Sequence, residues 1–148
     1  MKTVLFLCTG NYYRSRFAEE YFNHRAAVEE LGWRAISRAV AIARGANNVG
    51  AVSPLALAAL QAHGIAPRGH GRLPAACTPA DLDAADTIVA LSEREHRGLM
   101  RERYGAWEAR TIFWLAEDIG LAPAEAALGH IAREIEAMIA ALKASASL

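Results

Sequence analysis

The chain has 148 residues, of which 53% are hydrophobic, and its 16 basic residues equal its 16 acidic ones in number. This length predicts one domain over residues 1–148, and the charge balance gives no general reason to bind nucleic acid or an anionic membrane. Two cysteines are too few for a secreted disulfide framework, and no apolar stretch approaches the ~20 residues of a membrane span, so we expect a cytoplasmic protein with reduced thiols.

The first part of the chain predicts two strands, each followed by a helix. Residues 4–8 form a continuous apolar run, which is typical of a strand buried on both faces. A helix is predicted over 15–31 because apolar residues recur there at helical spacing. Its predicted stripe consists of Phe17, Tyr21, His24, Val28 and Leu31. A second strand is predicted over 33–41, and a helix over 53–63 begins with a serine cap followed by proline.

The second part of the chain begins with a Pro/Gly-rich loop and then alternates helices and strands. The predicted elements are a short helix near 80–84, a strand over 87–91, a helix over 92–104, a strand over 110–115 and a helix over 124–143. The charged run over 93–103 predicts a solvent-exposed helix face. Alternation of this kind predicts an α/β fold, with a parallel sheet and helices on both of its faces. We expect the ligand crevice at the carboxyl ends of the strands.

The first strand is followed by the octet CTGNYYRS, residues 8–15. Backbone N–H groups of a loop that enters a helix form an anion site, and Arg14 adds a planar fork that fits two phosphoryl oxygens. Gly10 permits close approach of the backbone to a ligand. Asn11 tolerates the left-handed conformation that a tight anion-binding loop, called the cradle below, often requires. The octet therefore predicts a site for a tetrahedral oxyanion such as phosphate, sulfate or vanadate. The predicted binding residues are Thr9, Gly10, Asn11, Tyr12, Tyr13, Arg14 and Ser15.

Cys8 lies at the base of this predicted cradle. The positive field that binds an oxyanion also favours the thiolate form of cysteine, and Ser15 is placed to donate a hydrogen bond to the sulfur. A thiolate aimed at a bound phosphoryl group is a nucleophile, so the predicted intermediate is a cysteinyl-phosphate that water hydrolyses. Neither a metal nor an organic cofactor is expected. A buried structural cysteine beside a salt-bridged arginine is the alternative, which the tightness of the octet disfavours.

The segment VLFLCTGNYYRS, residues 4–15, resembles the signature of the low-molecular-weight protein tyrosine phosphatase superfamily, which includes thioredoxin-coupled arsenate reductases. The element order, the chain length and the segment SPLALAALQAHGI are also similar to that family. The resemblance implies a three-layer αβα fold with a four-stranded parallel sheet in the order 2-1-3-4. It also implies a cysteine-dependent phosphomonoester hydrolase, with a phosphorylated protein or a small phosphate ester as substrate.

The resemblance further implies an aspartate general acid in the loop after the fourth strand. Asp118 is the candidate in this chain, and Glu117 is the second choice. Ile119 stands where the family usually has proline. The alternative interpretation is that both carboxylates solvate the loop or cap the last helix. The predicted catalytic residues are thus Cys8, Arg14 and Asp118.

Two tyrosines distinguish the octet from the family pattern. Tyr13 stands where family phosphatases often have a second cysteine, so protection of the nucleophile as a disulfide is absent here. Tyr12 replaces a smaller residue, and its ring could narrow the pocket mouth or stack on an aromatic substrate. The tyrosines that usually follow the acid are missing from residues 119–125. The choice among phosphotyrosine, another phosphorylated side chain and a small phosphate ester therefore stays open.

Two alternative functions follow from the same residues. The first is arsenate reduction with an external thiol. Ser92 stands where arsenate reductases of this fold carry a resolving cysteine, so an internal disulfide relay is disfavoured and the second thiol would have to come from outside the chain. Cys77 is predicted to be a small core residue rather than a redox partner. The second alternative is a phosphate-binding or weakly active regulatory module. Phosphocarrier domains with a similar loop generally lack the arginine, so Arg14 argues against a carrier.

The loop after the second strand faces the pocket in this fold. Its polar residues Arg44, Asn47 and Asn48 are candidates for substrate selection, and a solvated surface loop is the alternative. The five histidines and two cysteines show no spacing typical of a zinc site, so no metal site is predicted.

Overall fold

The computed structural model describes residues 1–118 and 121–146, and a four-stranded sheet forms its centre. The strands are β1 (Lys2–Cys8), β2 (Trp33–Ala39), β3 (Thr87–Ala90) and β4 (Thr111–Phe113). All pairings are parallel and the spatial order is β2-β1-β3-β4, which confirms the implied order 2-1-3-4. Because the strands are parallel, the loops that follow their carboxyl ends meet at one edge of the sheet.

Helices cover both faces of the sheet, which confirms the three-layer αβα fold. The described residues form α1 (Arg14–Val28), a 3-10 helix (Ile42–Gly45), α2 (Pro54–Ala62), α3 (Pro79–Ala84), α4 (Glu93–Glu108) and α5 (Ala124–Ala146). Helices α1, α2 and α5 pack on one face, and α3 and α4 pack on the other. None of the helices in the described ranges combines the length and the apolar character needed to cross a bilayer.

Strand β1 is buried on both faces, as its continuous apolar sequence predicts. Val4 and Phe6 pack into the core beneath α1 and α5, whereas Leu5 and Leu7 pack into the core on the α4 face. The Phe6 ring lies 5.7 Å from the Trp114 ring, centroid to centroid. This packing holds the end of β1, and with it Cys8, at the carboxyl edge of the sheet.

The predicted apolar stripe of α1 is wrong at two positions. His24 and Val28 are exposed, and Val28 retains 59% of its accessible surface. The helix instead buries Phe22 and Ala26 together with the predicted Phe17 and Tyr21. Because α1 contacts the sheet and also α2 and α5, its buried face is wider than a single stripe and turned away from His24.

Helix α4 also differs from the prediction. It does not end at 104 but continues to Glu108 through a kink at Tyr104, where φ is −140° and ψ is 43°. The predicted solvent exposure of residues 93–103 is wrong in part, because His96 is 0% exposed and Leu99 and Met100 are buried. The first turn of α4 follows β3 directly, so it starts at the crowded carboxyl edge of the sheet.

Candidate active site

The octet forms the turn between β1 and α1. Cys8 is the last residue of β1 and is 3% exposed, and Arg14 is the first residue of α1. The Cys8 sulfur lies 2.9 Å from the hydroxyl oxygen of Ser15, which is 0% exposed. The thiol therefore faces the N-terminus of a 15-residue helix, where unpaired N–H groups and the helix dipole favour negative charge.

Asn11 holds the shape of this turn. Its φ is +52°, in the left-handed region, and the side chain is 0% exposed. The amide nitrogen donates to Ser15 Oγ at 2.8 Å and to Ser37 Oγ at 2.9 Å. The amide oxygen accepts from Arg72 Nη1 and from the backbone N–H of Ala75, both at 3.1 Å. All four hydrogen-bonding positions of the amide are thus used: one bond stays within the octet, and three tie the turn to β2 and to the loop before α3.

Replacing Asn11 with alanine should destabilise the fold and the turn together. The change leaves buried partners unpaired and places alanine in a left-handed conformation, so we expect the free energy of unfolding to fall by about 2–4 kcal/mol. Urea denaturation measures this loss. The exposed Asn47, changed to alanine, is the control and should stay within about 0.5 kcal/mol of the original protein. Equal stability of both variants would contradict the structural role of Asn11.

The Arg14 guanidinium is 2% exposed and is held at both terminal nitrogens. Its Nη1 donates to the carbonyl of Ala116 at 2.9 Å, and its Nη2 donates to Glu95 Oε2 at 2.8 Å. Burial alone lowers the pKa of Arg14, but the charges of Cys8, Glu95 and Asp118 outweigh burial and raise the pKa overall. The buried Nε has no hydrogen-bond partner among the described residues. An acceptor from a ligand would complete this donor.

Glu95 and His96, in the first turn of α4, join the octet in a hydrogen-bonded chain. The backbone N–H of Ser92 donates to His96 Nδ1 at 3.1 Å, so the ring proton lies on Nε2, which is 3.1 Å from Thr9 Oγ1. Thr9 Oγ1 in turn donates to Glu95 Oε2 at 3.1 Å. Burial and the charge of Arg14 lower the pKa of His96, which is therefore neutral, so its 3.6 Å contact with Glu95 is not an ion pair.

The sequence pattern did not predict this hydrogen-bonded chain, because it placed residues 93–103 on an exposed face. Burial alone raises the pKa of Glu95, but the hydrogen bond and charge of Arg14 outweigh it and leave the pKa below its ordinary value. Glu95 is thus a carboxylate anion within the site. The only sequence signal for this region was a histidine four residues after a capping serine, one turn into the helix.

The acid-loop candidates lie after β4, at the same edge of the sheet. Asp118 Oδ2 is 3.9 Å from Arg14 Nη2, and the side chain is 53% exposed. Its backbone N–H donates to Glu95 Oε1 at 3.3 Å. The Oε2 atom of Glu117 is buried without a hydrogen-bond partner in the described part of the chain. Ile119, which replaces the usual proline, lies outside the described residues.

A cavity of about 120 Å³ opens above the octet. It is lined by Cys8, Thr9, Gly10, Tyr12, Tyr13, Arg14, Arg44, Gly45, Asn48 and Asp118. The predicted catalytic residues therefore share one cavity with Arg44 and Asn48, while Asn47 is not part of its lining. The Tyr12 hydroxyl donates to the Val49 carbonyl at 2.6 Å, which ties this lining residue to the loop before α2.

Cys77 belongs to the other side of the sheet. It is 6% exposed and packs with Leu5, Leu7 and Leu82, whereas Cys8 packs in the core beneath α1. Burial raises the pKa of Cys77 to about 12. Both cysteines are free thiols. Among the described residues, no three His, Cys, Asp or Glu side chains group in a way that could hold a metal ion.

Comparison with models of known protein families matches most of the chain to one of them. The model of the family described as low molecular weight phosphotyrosine protein phosphatase matches residues 3–120. This span includes the octet, both acid-loop candidates and the whole first turn of α4. No curated protein matches the chain significantly.

Solved structures share the fold over nearly the full chain. A low molecular weight protein tyrosine phosphatase from T. tengcongensis has 25% identity and a TM-score of 0.75, and the match covers 98% of this chain and 99% of that one. The phosphatase SP-PTP from Streptococcus pyogenes has 17% identity and a TM-score of 0.79, with 96% and 93% covered. The YwlE arginine phosphatase from Geobacillus stearothermophilus has 21% identity and a TM-score of 0.75, with 98% and 95% covered.

Proposed function

This chain belongs to the low molecular weight phosphotyrosine protein phosphatase family, and from that premise we propose that it hydrolyses phosphomonoesters through a cysteinyl-phosphate on Cys8. As a member of this family, the protein is a cysteine-dependent phosphatase.

One observation carries the proposal. The buried Arg14 guanidinium borders the same cavity as the Cys8 thiol, and its Nε lacks a partner among the described residues. An unpaired buried donor costs free energy, and a ligand acceptor that reaches it from the cavity would recover that cost. A phosphoryl oxygen on Nε, with the other oxygens on the N–H groups of the octet, would place phosphorus next to the sulfur.

In the first step the Cys8 thiolate attacks phosphorus. The S–P bond forms as the P–O bond to the leaving group breaks, and Asp118 supplies the proton that the departing oxygen needs. Arg14 and the octet N–H groups stabilise the equatorial oxygens as charge redistributes in the transition state.

In the second step water attacks the cysteinyl-phosphate. The Asp118 carboxylate takes the water proton, the P–S bond breaks, and Cys8 leaves as a thiolate. The Ser15 hydroxyl, 2.9 Å from the sulfur, stabilises that leaving thiolate by donating a hydrogen bond. Inorganic phosphate is the product and the enzyme returns to its starting state.

The cavity limits the part of the substrate that is enclosed. A volume of about 120 Å³ is well below that of sites that engulf a small organic ligand, which run to ~300 Å³ and more. The site therefore takes the phosphoryl group and the atoms next to it, while the rest of the substrate lies outside, against Arg44, Asn48 and Tyr12. This fits a phosphorylated side chain on a protein better than a small ester that must be bound whole.

A pre-steady-state measurement tests the proposed intermediate. With p-nitrophenyl phosphate we expect a burst of p-nitrophenol, equal in amount to the enzyme, if hydrolysis of the intermediate is slower than its formation. Glycerol should compete with water for the phosphoryl group and give glycerol phosphate. Three observations together would contradict a covalent route: turnover without a burst, no transfer of phosphate to glycerol, and no phosphate on Cys8 after acid quench.

A further inference from the structure

One carboxylate contacts three separate parts of the site. Glu95 Oε2 accepts from Arg14 Nη2 at 2.8 Å and from Thr9 Oγ1 at 3.1 Å. Its Oε1 accepts from the backbone N–H of Asp118 at 3.3 Å. The side chain is only 20% exposed. The same residue thus reaches the oxyanion-binding arginine, the start of the octet and the loop that carries the acid candidate.

We propose that Glu95 is a positioning residue, which holds the Arg14 guanidinium in the cradle and keeps the Asp118 loop aligned with it. The proposal rests on the phosphatase function proposed above. Glu95 acts through Arg14 and Asp118 and does not itself exchange a proton with the substrate.

The contacts around Arg14 leave its Nε without a hydrogen-bond partner among the described residues. Glu95 and the Ala116 carbonyl occupy the two terminal nitrogens, so the guanidinium plane is fixed without use of its unpartnered Nε. A planar donor held at two points loses little further freedom when it binds a phosphoryl oxygen. The neutral His96 donates from Nε2 to Thr9 Oγ1. The Thr9 hydroxyl proton is therefore directed to Glu95, and each hydrogen bond in this chain has a defined donor and acceptor.

Charge alone would argue against a glutamate at this position. A carboxylate that contacts the arginine of an anion site repels the bound anion and weakens its ground-state affinity. The benefit of Glu95 must then lie in geometry that matters during the reaction. Removing the Glu95 carboxylate should therefore lower turnover without weakening phosphate binding.

The experiment compares Glu95→Gln and Glu95→Ala with Glu93→Gln as matched control. Glu93 is in the same turn of α4, but its carboxylate pairs with Arg97 at 2.8 Å and is exposed. The measurements are kcat and KM with p-nitrophenyl phosphate, Kd for inorganic phosphate by calorimetry, and backbone amide exchange of residues 114–118. The last two do not depend on turnover.

We expect Glu95→Ala to lower kcat by about 10²-fold, since misplacement by about 1 Å can cost that much. Glu95→Gln keeps an oxygen acceptor, so it should restore part of this loss. Both variants should bind phosphate equally tightly or up to about threefold more tightly, because a nearby negative charge is gone. Amide exchange at Asp118 should become faster in Glu95→Ala, and Glu93→Gln should match the original protein throughout.

Any one of four results would overturn the proposal. The first is a kcat of Glu95→Ala within about twofold of the original. The second is weaker phosphate binding together with a lower melting temperature, which would indicate a general loss of stability. A rise in both kcat and affinity would indicate a purely electrostatic effect. If Glu95→Ala does not fold, Glu95→Gln decides by the same criteria. If the original protein shows no turnover, the phosphatase proposal fails, and unchanged amide exchange at Asp118 in Glu95→Ala would separately overturn the role of Glu95.

Discussion

Replacing Cys8 with alanine is expected to abolish hydrolysis of p-nitrophenyl phosphate, with kcat reduced by at least about 10⁴-fold. The reason is that the thiol supplies the attacking atom in the proposed pose, and the neighbouring Ser15 is not among the residues that line the cavity. Phosphate binding should persist, because Arg14 and the octet N–H groups remain. Steady-state kinetics and calorimetry with inorganic phosphate measure these two outcomes.

Cys77 provides the control for this experiment. It is the other cysteine of the chain and is buried on the opposite face of the sheet. Cys77→Ala should retain kcat, although removing a buried thiol can lower stability slightly. Similar activity in the two variants would show that catalysis does not depend on Cys8. Loss of activity together with loss of phosphate binding in Cys8→Ala would point to a damaged turn instead of a missing nucleophile.

Replacing Asp118 with asparagine should reduce kcat by about 10²–10⁴-fold for a substrate whose leaving group needs a proton. Asparagine keeps the size of the side chain but carries no proton to transfer. Phenyl phosphate should show the larger loss, and p-nitrophenyl phosphate the smaller one, because p-nitrophenolate departs readily without protonation. A comparison of kcat for the two esters in the original protein and the variant measures this dependence on the leaving group.

Glu117→Gln is the matched control, because it neutralises the neighbouring carboxylate and leaves Asp118 unchanged. If Asp118 is the general acid, Glu117→Gln should retain most of the activity on both esters. The opposite result, with activity on phenyl phosphate nearly intact in Asp118→Asn and lost in Glu117→Gln, would assign the acid to Glu117. Such an outcome would fit the buried, unpartnered Oε2 of Glu117 within the described residues.

Much of the fold was predictable because its signals are periodic or local. The continuous apolar run of β1 predicts a strand buried on both faces, and the serine–proline pair at 53–54 predicts the start of α2, where Ser53 Oγ accepts from the N–H of Leu55. Element ends were less predictable. Strand β2 stops at Ala39 rather than at 41, and α4 passes through its kink to Glu108, since packing against neighbouring elements sets these ends.

The sequence by itself determined the octet and its family, which the match over residues 3–120 confirms. Cys8, Arg14 and Ser15 lie within one turn of chain, so a strand that runs directly into a helix brings them close together, and the Asn11 hydrogen bonds to β2 and to the loop before α3 fix the shape of that turn. The left-handed Asn11 is equally local. Close spacing along the chain is the reason that this part of the site can be recognised from the order of residues alone.

Only the tertiary structure decided what surrounds that turn. Glu95 is 81 positions from Arg14, and Ala116 is 102 positions away, yet both contact its guanidinium. Their approach depends on the strand order β2-β1-β3-β4, which places the loops after β3 and β4 beside the end of β1. A charged helical run has the same local pattern whether it faces water or a binding site. The fold alone, through the parallel crossovers, turned Glu95 and His96 toward the octet.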